Sequence, residues 1–427
     1  MLTSIIRLRR RPAHDPVPIY LLLIGGQSFL FALMFTVNLI YQATTVGLNP
    51  FQLVLVGTVL ETTCFLFEIP TGIVADVYSR RLSILIGLAL IGVGFLLEGS
   101  VPTFAAVIAC QVIWGIGFTF TSGAVEAWIT DEVGEDAVGR IFLRGTQIGL
   151  LGSIAGTVLS AGLGLISIQL PIILGGAGLL VLCAVLAIVM PERHMHVTPR
   201  EDRSTFAHMR ATLVQGVRLA ASRPVVRTLI AISLVVGLAS EAFDRLQTVF
   251  ILDRFDFPTT FGTNNPVIWF GLSGIVSTIF GLSASEVLKR RNSEVLGSGT
   301  PARLLTICAA IQVTTTVVFA LAGNLWLAFG MLWVRSALSA ITGPVEAAWM
   351  NRNLDSSLRA TVISMNGQAN AIGQVGGGPV LGWVGNTVSV RAALLCSAVV
   401  LSPIVALYQR TIPRDQNPEM RPATVAD

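Results

Sequence analysis

The sequence predicts an all-α membrane protein, with twelve transmembrane helices in two pseudo-symmetric six-helix bundles. Three observations predict it. Hydrophobic residues make up 53% of the 427 residues and charged residues 12%, about half the charge of a soluble domain, and the mean hydropathy is +0.74. Apolar runs long enough to cross a bilayer, about 20 residues each, recur along the whole chain. Basic residues collect in alternate polar segments between those runs, the pattern by which positive loops set orientation.

Taken in order, the runs place spans at 17–41, 52–75, 82–102, 104–128, 141–165 and 168–190, then at 227–252, 266–288, 302–323, 325–350, 360–386 and 388–410. The first run, Pro16 to Tyr41, is too long for the apolar core of a cleavable signal peptide, so no leader is expected. With both termini cytoplasmic, 24 of the 28 Lys and Arg residues fall on the inner side. Outer loops then hold only Arg254 and Arg391, while Arg245 and Arg335 lie within spans. The expected location is the inner (plasma) membrane, multi-pass, with both ends inside. Residues 191–226 form one long polar linker, rich in Pro, His, Arg and acid. It separates an N-terminal bundle at 1–190 from a C-terminal bundle and tail at 227–427. Two halves of six spans are the mark of a transporter built from repeats.

An internal repeat supports the halves. GIVADVYSRR, with Gly72, Asp76, Arg80 and Arg81, aligns with GLSASEVLKR, with Gly281, Ser285, Lys289 and Arg290, at an offset of 209. GAVEAW in span four (Gly123 to Trp128) recurs as GPVEAAW in span ten (Gly343 to Trp349), each followed by a polar loop and an Arg, Arg140 and Arg359.

Composition also excludes. No G-x-x-x-x-G-K-[ST] loop is present, so ATP is not the direct drive, and nothing points to an enzyme or a cofactor. The four His lie in polar segments outside any H-E-x-x-H, and the five Cys lie inside apolar runs at unrelated spacings; neither set reads as a metal site. The formal charge of +4 follows from the loop distribution, so no nucleic-acid partner is expected. The expected partners are a small-molecule substrate, protons and the lipid bilayer, for a monomer.

Gly72, Asp76, Arg80 and Arg81 match G-x-x-x-D-x-x-x-R-R/K, and over essentially its whole length the chain resembles the major facilitator superfamily. FEIPTG (Phe67 to Gly72) and SGAVEAW (Ser122 to Trp128) resemble its drug/proton antiporter branch of macrolide-type efflux carriers. Span five keeps Gly149, Gly152, Gly156 and Gly162 without the branch's Gly-Pro pair, and Gln111 stands where the family carries an Arg. The resemblance implies alternating access, with spans one, four, seven and ten lining the cavity and the span two–three loop acting as a gate.

Ionisable residues inside spans are costly in lipid and are functional candidates by default. Glu61 and Glu68 fall in span two, Glu126 in span four, Glu241, Asp244 and Arg245 in span seven, and Arg335 and Glu346 in span ten. Glu241, Asp244 and Arg245 occupy i, i+3 and i+4, which places them on one helix face, and Arg335 reaches a similar depth. A carboxylate set between burial and an Arg can exchange a proton near neutral pH. Glu241 or Asp244 is therefore the expected proton site, Arg245 or Arg335 its partner and Glu61 a second site; a structural ion pair is the alternative. Gly72 is expected to permit close helix approach, Asp76 to pair with an Arg or a helix N-terminus, and the cluster with Arg80 and Arg81 to latch the two halves. Glu126 with Arg140 and Glu346 with Arg359 are expected bridges, and Glu68, before Pro70, belongs with the gate. Gln27, Phe31, Phe35, Asn38, Gln111, Trp114, Phe118 and Gln247 are candidate substrate contacts. The leading expectation is proton-coupled efflux of a small amphipathic or lipophilic compound. The rivals are a symporter or uniporter for a polar metabolite, which a polar cavity favours, and a non-transporting sensor or scaffold, which a sealed interior favours.

Overall fold

The computed structural model describes residues 15–195, 224–259, 262–290, 301–353 and 356–412, without the side chains of 225 and 351–361. Most of the linker, 196–223, lies outside them. Helices begin where the sequence supplies caps. Asp15 accepts from the Val17 N–H at 3.0 Å to start α1 (Pro16–Thr44). Asn49 and Gln52 form a reciprocal capping box at α2 (Pro50–Ile73). Ser79, Thr103 and Ser389 cap α3 (Arg80–Ser100), α4 (Phe104–Thr121) and α13 (Val390–Leu401). Such caps satisfy N–H groups that the first turn leaves without partners. Proline, whose missing N–H costs nothing there, opens α1, α2, α8 (Pro224–Arg254), α9 (Pro266–Arg290), α10 (Pro301–Ala320) and α14 (Pro403–Gln409).

The remaining helices are α5 (Ala124–Val133), α6 (Glu135–Gly164), α7 (Gln169–Val189), α11 (Leu325–Asn353) and α12 (Ser356–Thr387). Among the described residues no strand forms, and eleven spans are long and apolar enough to cross a membrane, α4 with α5 and α13 with α14 each making one. α12 is the twelfth, 32 residues long, about 48 Å at 1.5 Å per residue. Its polar side chains turn inward: Asn370 donates to the Ser233 carbonyl at 3.2 Å and Gln374 to Asn370 at 2.7 Å.

Two boundaries differ from expectation. The fourth span runs on to Val133, broken at Ser122–Gly123 where Gly123 has φ +71; the fifth starts at Glu135, after Gly134 with φ +82. Both glycines hold backbone in the left-handed region that other residues avoid. The acids Glu135 and Asp136 suit the N-terminal end of α6. The repeated motif is therefore bent in one half and straight in the other, because α11 continues through Pro344. In both halves its Val and Trp are buried: Val125 with Trp128, and Val345 with Trp349.

Helices alternate in direction, so their ends form two surfaces. One carries Arg80, Arg81, Arg140, Lys289 and Arg410 and is the basic end; the other, with Thr45, Val101 and Val388, is the far end. Within each half glycine sets the spacing. A Cβ at Gly152 would stand 2.5 Å from the Gly25 carbonyl oxygen, and one at Gly156 would overlap the Phe29 carbonyl, so α6 lies directly on α1. Gly373 and Gly377 do the same for α12 against Leu234 and Leu238 of α8. Small residues let backbones approach where lipid gives no hydrophobic drive between helices. Gly72 has open space where a Cβ would be, so its expected close-packing role is not met here.

The halves touch near the far end. Gly378 and Gly382 of α12 face Val54 and Thr58 of α2, and Gly164 of α6 faces Val267 of α9. Toward the basic end α2 and α12 flank a cavity of about 360 Å³ lined by Glu61, Glu68, Phe118 and Gln368. The interior is therefore sealed at one end and parted at the other.

Gly156→Leu is expected to destabilise the chain by about 1–3 kcal/mol, the usual scale for overpacking, read as a lower unfolding temperature in detergent. Gly162→Ala, which meets open space, should unfold within a degree or two of the parent by the same measurement.

Candidate functional site

The span-seven charges do not act as one group. Successive residues turn 100° about a helix, so Asp244 and Arg245 diverge although each lies near Glu241. Glu241 is buried at 5% exposure and accepts from Arg245 Nε at 2.9 Å. This pair faces α2, where Gly57 leaves the room it occupies, and Glu61 one turn further on lies within electrostatic range of both.

Asp244 turns the other way, into a cavity of about 330 Å³ between α8, α9 and α11. Arg335 lines the same cavity; both residues stand ten positions from the far ends of their helices, about 15 Å in. Arg335 is fixed on its other sides. It donates to Thr316 Oγ1 at 2.9 Å, and its guanidinium lies 3.8 Å above the Phe243 ring centroid, a cation–π contact. Gln247, Thr248, Ser273, Ser277, Ser336 and Ser339 complete a polar lining, with Phe270 and Leu332 as its apolar part. This arrangement can hold an anionic or hydroxyl-bearing group against Arg335, and it can bind and release a proton at Asp244.

The other candidates scatter. Phe31, Phe35 and Trp114 join Phe95 in an aromatic cluster between α1, α3 and α4, with ring centroids 5.1–5.6 Å apart. Phe118 lines the α2–α12 cavity instead. Asn38 is bound into a buried network with Glu98 and Gln42, which removes it from the substrate contacts, because its amide is already used. Gln111 is fully buried with neither amide atom paired. Gln27 is half-buried on α1.

The gate residues hold the N-terminal half together. Pro70 lies inside α2, and four residues on the chain widens into a π turn, Val74–Tyr78, which carries Asp76. Arg80 pairs with Asp131 of α5 and donates to the Ala127 carbonyl at 2.8 Å. Arg81 donates to the Ala187 carbonyl at 2.6 Å. Glu192 sits at the α3 N-terminus, accepting from Ser79 Oγ at 2.6 Å and the Arg81 N–H at 3.0 Å, the favoured place for an anion. The expected latch between halves is thus replaced by clamps inside one half, since the halves stand apart at this end. Asp76 makes no ion pair among the described residues. Glu126 and Arg140 are both exposed, on separate helices divided by the break at Gly134, and make no ion pair among the described residues. Glu346 interacts with Tyr408 of α14, and the Arg359 side chain lies outside those described.

Sequence reading missed Asp131, Glu192 and Glu98. Glu98 had a signal: it is the one acid in the α3 run RRLSILIGLALIGVGFLLEGS, an ionisable residue in an apolar span. Asp131 and Glu192 lie in polar segments where nothing distinguishes them before the fold brings them to Arg80 and Arg81.

The sequence profile described as Major Facilitator Superfamily matches residues 20–377. The chain belongs to that superfamily. It is 21% identical over 374 residues, 87% of this chain and 89% of the other, to the uncharacterized MFS-type transporter YxaM of Bacillus subtilis (strain 168). Solved structures share the fold. A mutant of the nucleoside transporter NupG is similar with TM-score 0.75 at 16% identity, covering 93% of this chain and 99% of that one. A POT family transporter bound to a thioalcohol-conjugated peptide gives 0.73 at 12%, covering 94% and 96%. A bacterial homolog of the human lysosomal transporter Spinster, inward-facing and occupied, gives 0.70 at 15%, covering 95% and 100%. The chain is a superfamily transporter spanning the membrane many times.

Arg245→Met is expected to destabilise the protein by about 3–5 kcal/mol, since it leaves Glu241 buried without its cation. Adding Glu241→Gln to it should restore most of that loss in a thermal unfolding series in detergent. A double variant no more stable than the single one would show that the pair is not what holds α8 here.

Proposed function

We propose that this transporter is proton-coupled and exports a small amphipathic compound by alternating access. The observation that carries the reading is Asp244 and Arg335 in one polar cavity beneath a sealed end. A polar or charged group of the substrate sits against Arg335 and the surrounding hydroxyls, while its apolar part lies on Phe270 and Leu332 of the same cavity. Asp244 exchanges the proton: when protonated it no longer competes for Arg335, so proton and substrate occupancy are linked through one cation. The polar lining argues against a purely lipophilic substrate. The cavity itself, where a sensor or scaffold calls for a sealed interior, argues against a non-transporting role.

A second reading, symport or uniport of a polar metabolite, is favoured by the five hydroxyls of Thr248, Ser273, Ser277, Ser336 and Ser339.

Proteoliposomes with an imposed pH gradient, assayed against a panel of labelled amphipathic and polar solutes, test the reading. Gradient-driven flux of an amphipathic solute is expected in the parent chain, cut at least tenfold in Asp244→Asn, with gradient-free exchange kept. Gradient-driven flux that survives Asp244→Asn combined with Glu241→Gln would sink the coupling role. Flux of polar solutes alone, toward the proton-poor side, would select the second reading.

A further inference from the structure

Just inside the far end, α1, α3 and α4 enclose a cluster that the transport reading does not use. Glu98 and Gln42 are fully buried and Asn38 nearly so. One Glu98 carboxyl oxygen accepts from Asn38 Nδ2 and from Gln42 Nε2, each at 2.8 Å. Gln42 Nε2 also donates to Asn38 Oδ1 at 2.9 Å, and the Tyr41 hydroxyl donates to the Glu98 main-chain carbonyl at 2.6 Å. With those donors used, two acceptors stand unpartnered: Glu98 Oε2 and Gln42 Oε1.

The neighbours supply no cation. From α4 the Cys110 thiol lies against the carboxyl, at most a weak donor, and Gln111 beside it is neutral. From α8, Arg245 is within electrostatic range, but its hydrogen bond goes to Glu241. No ion pair reaches Glu98 among the described residues. A buried ionised carboxylate without a partner is strongly disfavoured. One proton on Oε2 removes the charge and makes that oxygen a donor, while Oε1 goes on accepting from Asn38 and Gln42.

We infer that Glu98 is a proton-binding site, filled in this far-end-sealed conformation and emptied when the seal opens. Its tie to the seal is short. The Gln42 carbonyl accepts from the Leu48 N–H at 3.0 Å, and Leu48 belongs to the apolar cluster that Val249 of α8 and Val390 join across the seam between the halves. The site goes beyond the transport reading and stands even if Asp244 proves not to couple.

Infrared difference spectroscopy on the purified full chain in sodium-free buffer at pH 7 tests it. A protonated-carboxyl C=O band is expected in the parent, absent from Glu98→Gln and kept in Asp244→Asn. Gln42→Met leaves Glu98 in place but removes the Nε2 donor to its Oε1, so it should move the same band to higher frequency; this keeps the assignment testable if Glu98→Gln fails to fold. Gly57→Trp drives a ring into the space of Glu241 and Arg245, holds the seam apart and should lose the band at pH 7. Absence of the band in the parent, or its persistence in Glu98→Gln, overturns the site. An unchanged band in Gly57→Trp overturns the link to the seal. A band abolished by added sodium chloride overturns the proton in favour of a sodium ion.

Discussion

An ionised side chain in an apolar interior needs a cation, an anion or a proton beside it, and the helices of this chain are set around that need. Glu241 keeps Arg245 at 2.9 Å in the seam between α8 and α2. Arg335 keeps Thr316 and the Phe243 face on one side and Asp244 on the cavity side. At the basic end Asp131 meets Arg80, and Glu192 meets the start of α3. None of these contacts is a surface ornament, because each would leave a buried or half-buried charge unmatched if its neighbour moved away. That is also why the motions of a transporter are concentrated where such pairs face a cavity: there a substrate or a proton can stand in for the missing partner.

Glycine does for the backbone what ion pairs do for the side chains. Gly25 with Gly152, and Gly92 with Gly176, bring helix backbones to distances at which a Cβ would clash. The same device recurs between halves at Gly378 and Gly382. The difference lies in what is opposite. Within a half, glycine meets carbonyl oxygens over several turns; between α2 and α12 it meets side chains, those of Pro50, Val54 and Thr58, along the far-end part of α2 only. A long seam resists separation, and a short one can part.

The architecture was legible because lipid imposes a length rule that a single sequence records directly: the apolar runs and the repeated G-x-V-E-A mapped onto helices in the expected order. Helix ends were less so, since the breaks at Gly123 and Gly134 depend on left-handed backbone that many glycines in this chain do not adopt. Site residues were legible as types and not as partners. Spacing put Glu241, Asp244 and Arg245 together, but 100° per residue sends Asp244 toward Arg335 and Arg245 back to Glu241. Asn38 looked like a substrate contact because it is polar in a lining helix; only the position of Glu98, 60 residues away in sequence, reveals that its amide is taken. Arg80 and Arg81 were identifiable as a pair, whereas Asp131 and Glu192 became relevant only through folding.

The short contact zone at the far end also has a mechanical meaning. Under the alternating access proposed above, each half, stiffened by its own glycine-lined seams, turns as a rigid lever, pivoting where Val54 and Thr58 meet Gly382 and Gly378 for as long as the far end stays closed. A body about 30 Å tall swung by roughly 15° carries its free end through about 8 Å. That sweep is the width of a small organic molecule, won without unpacking a single helix.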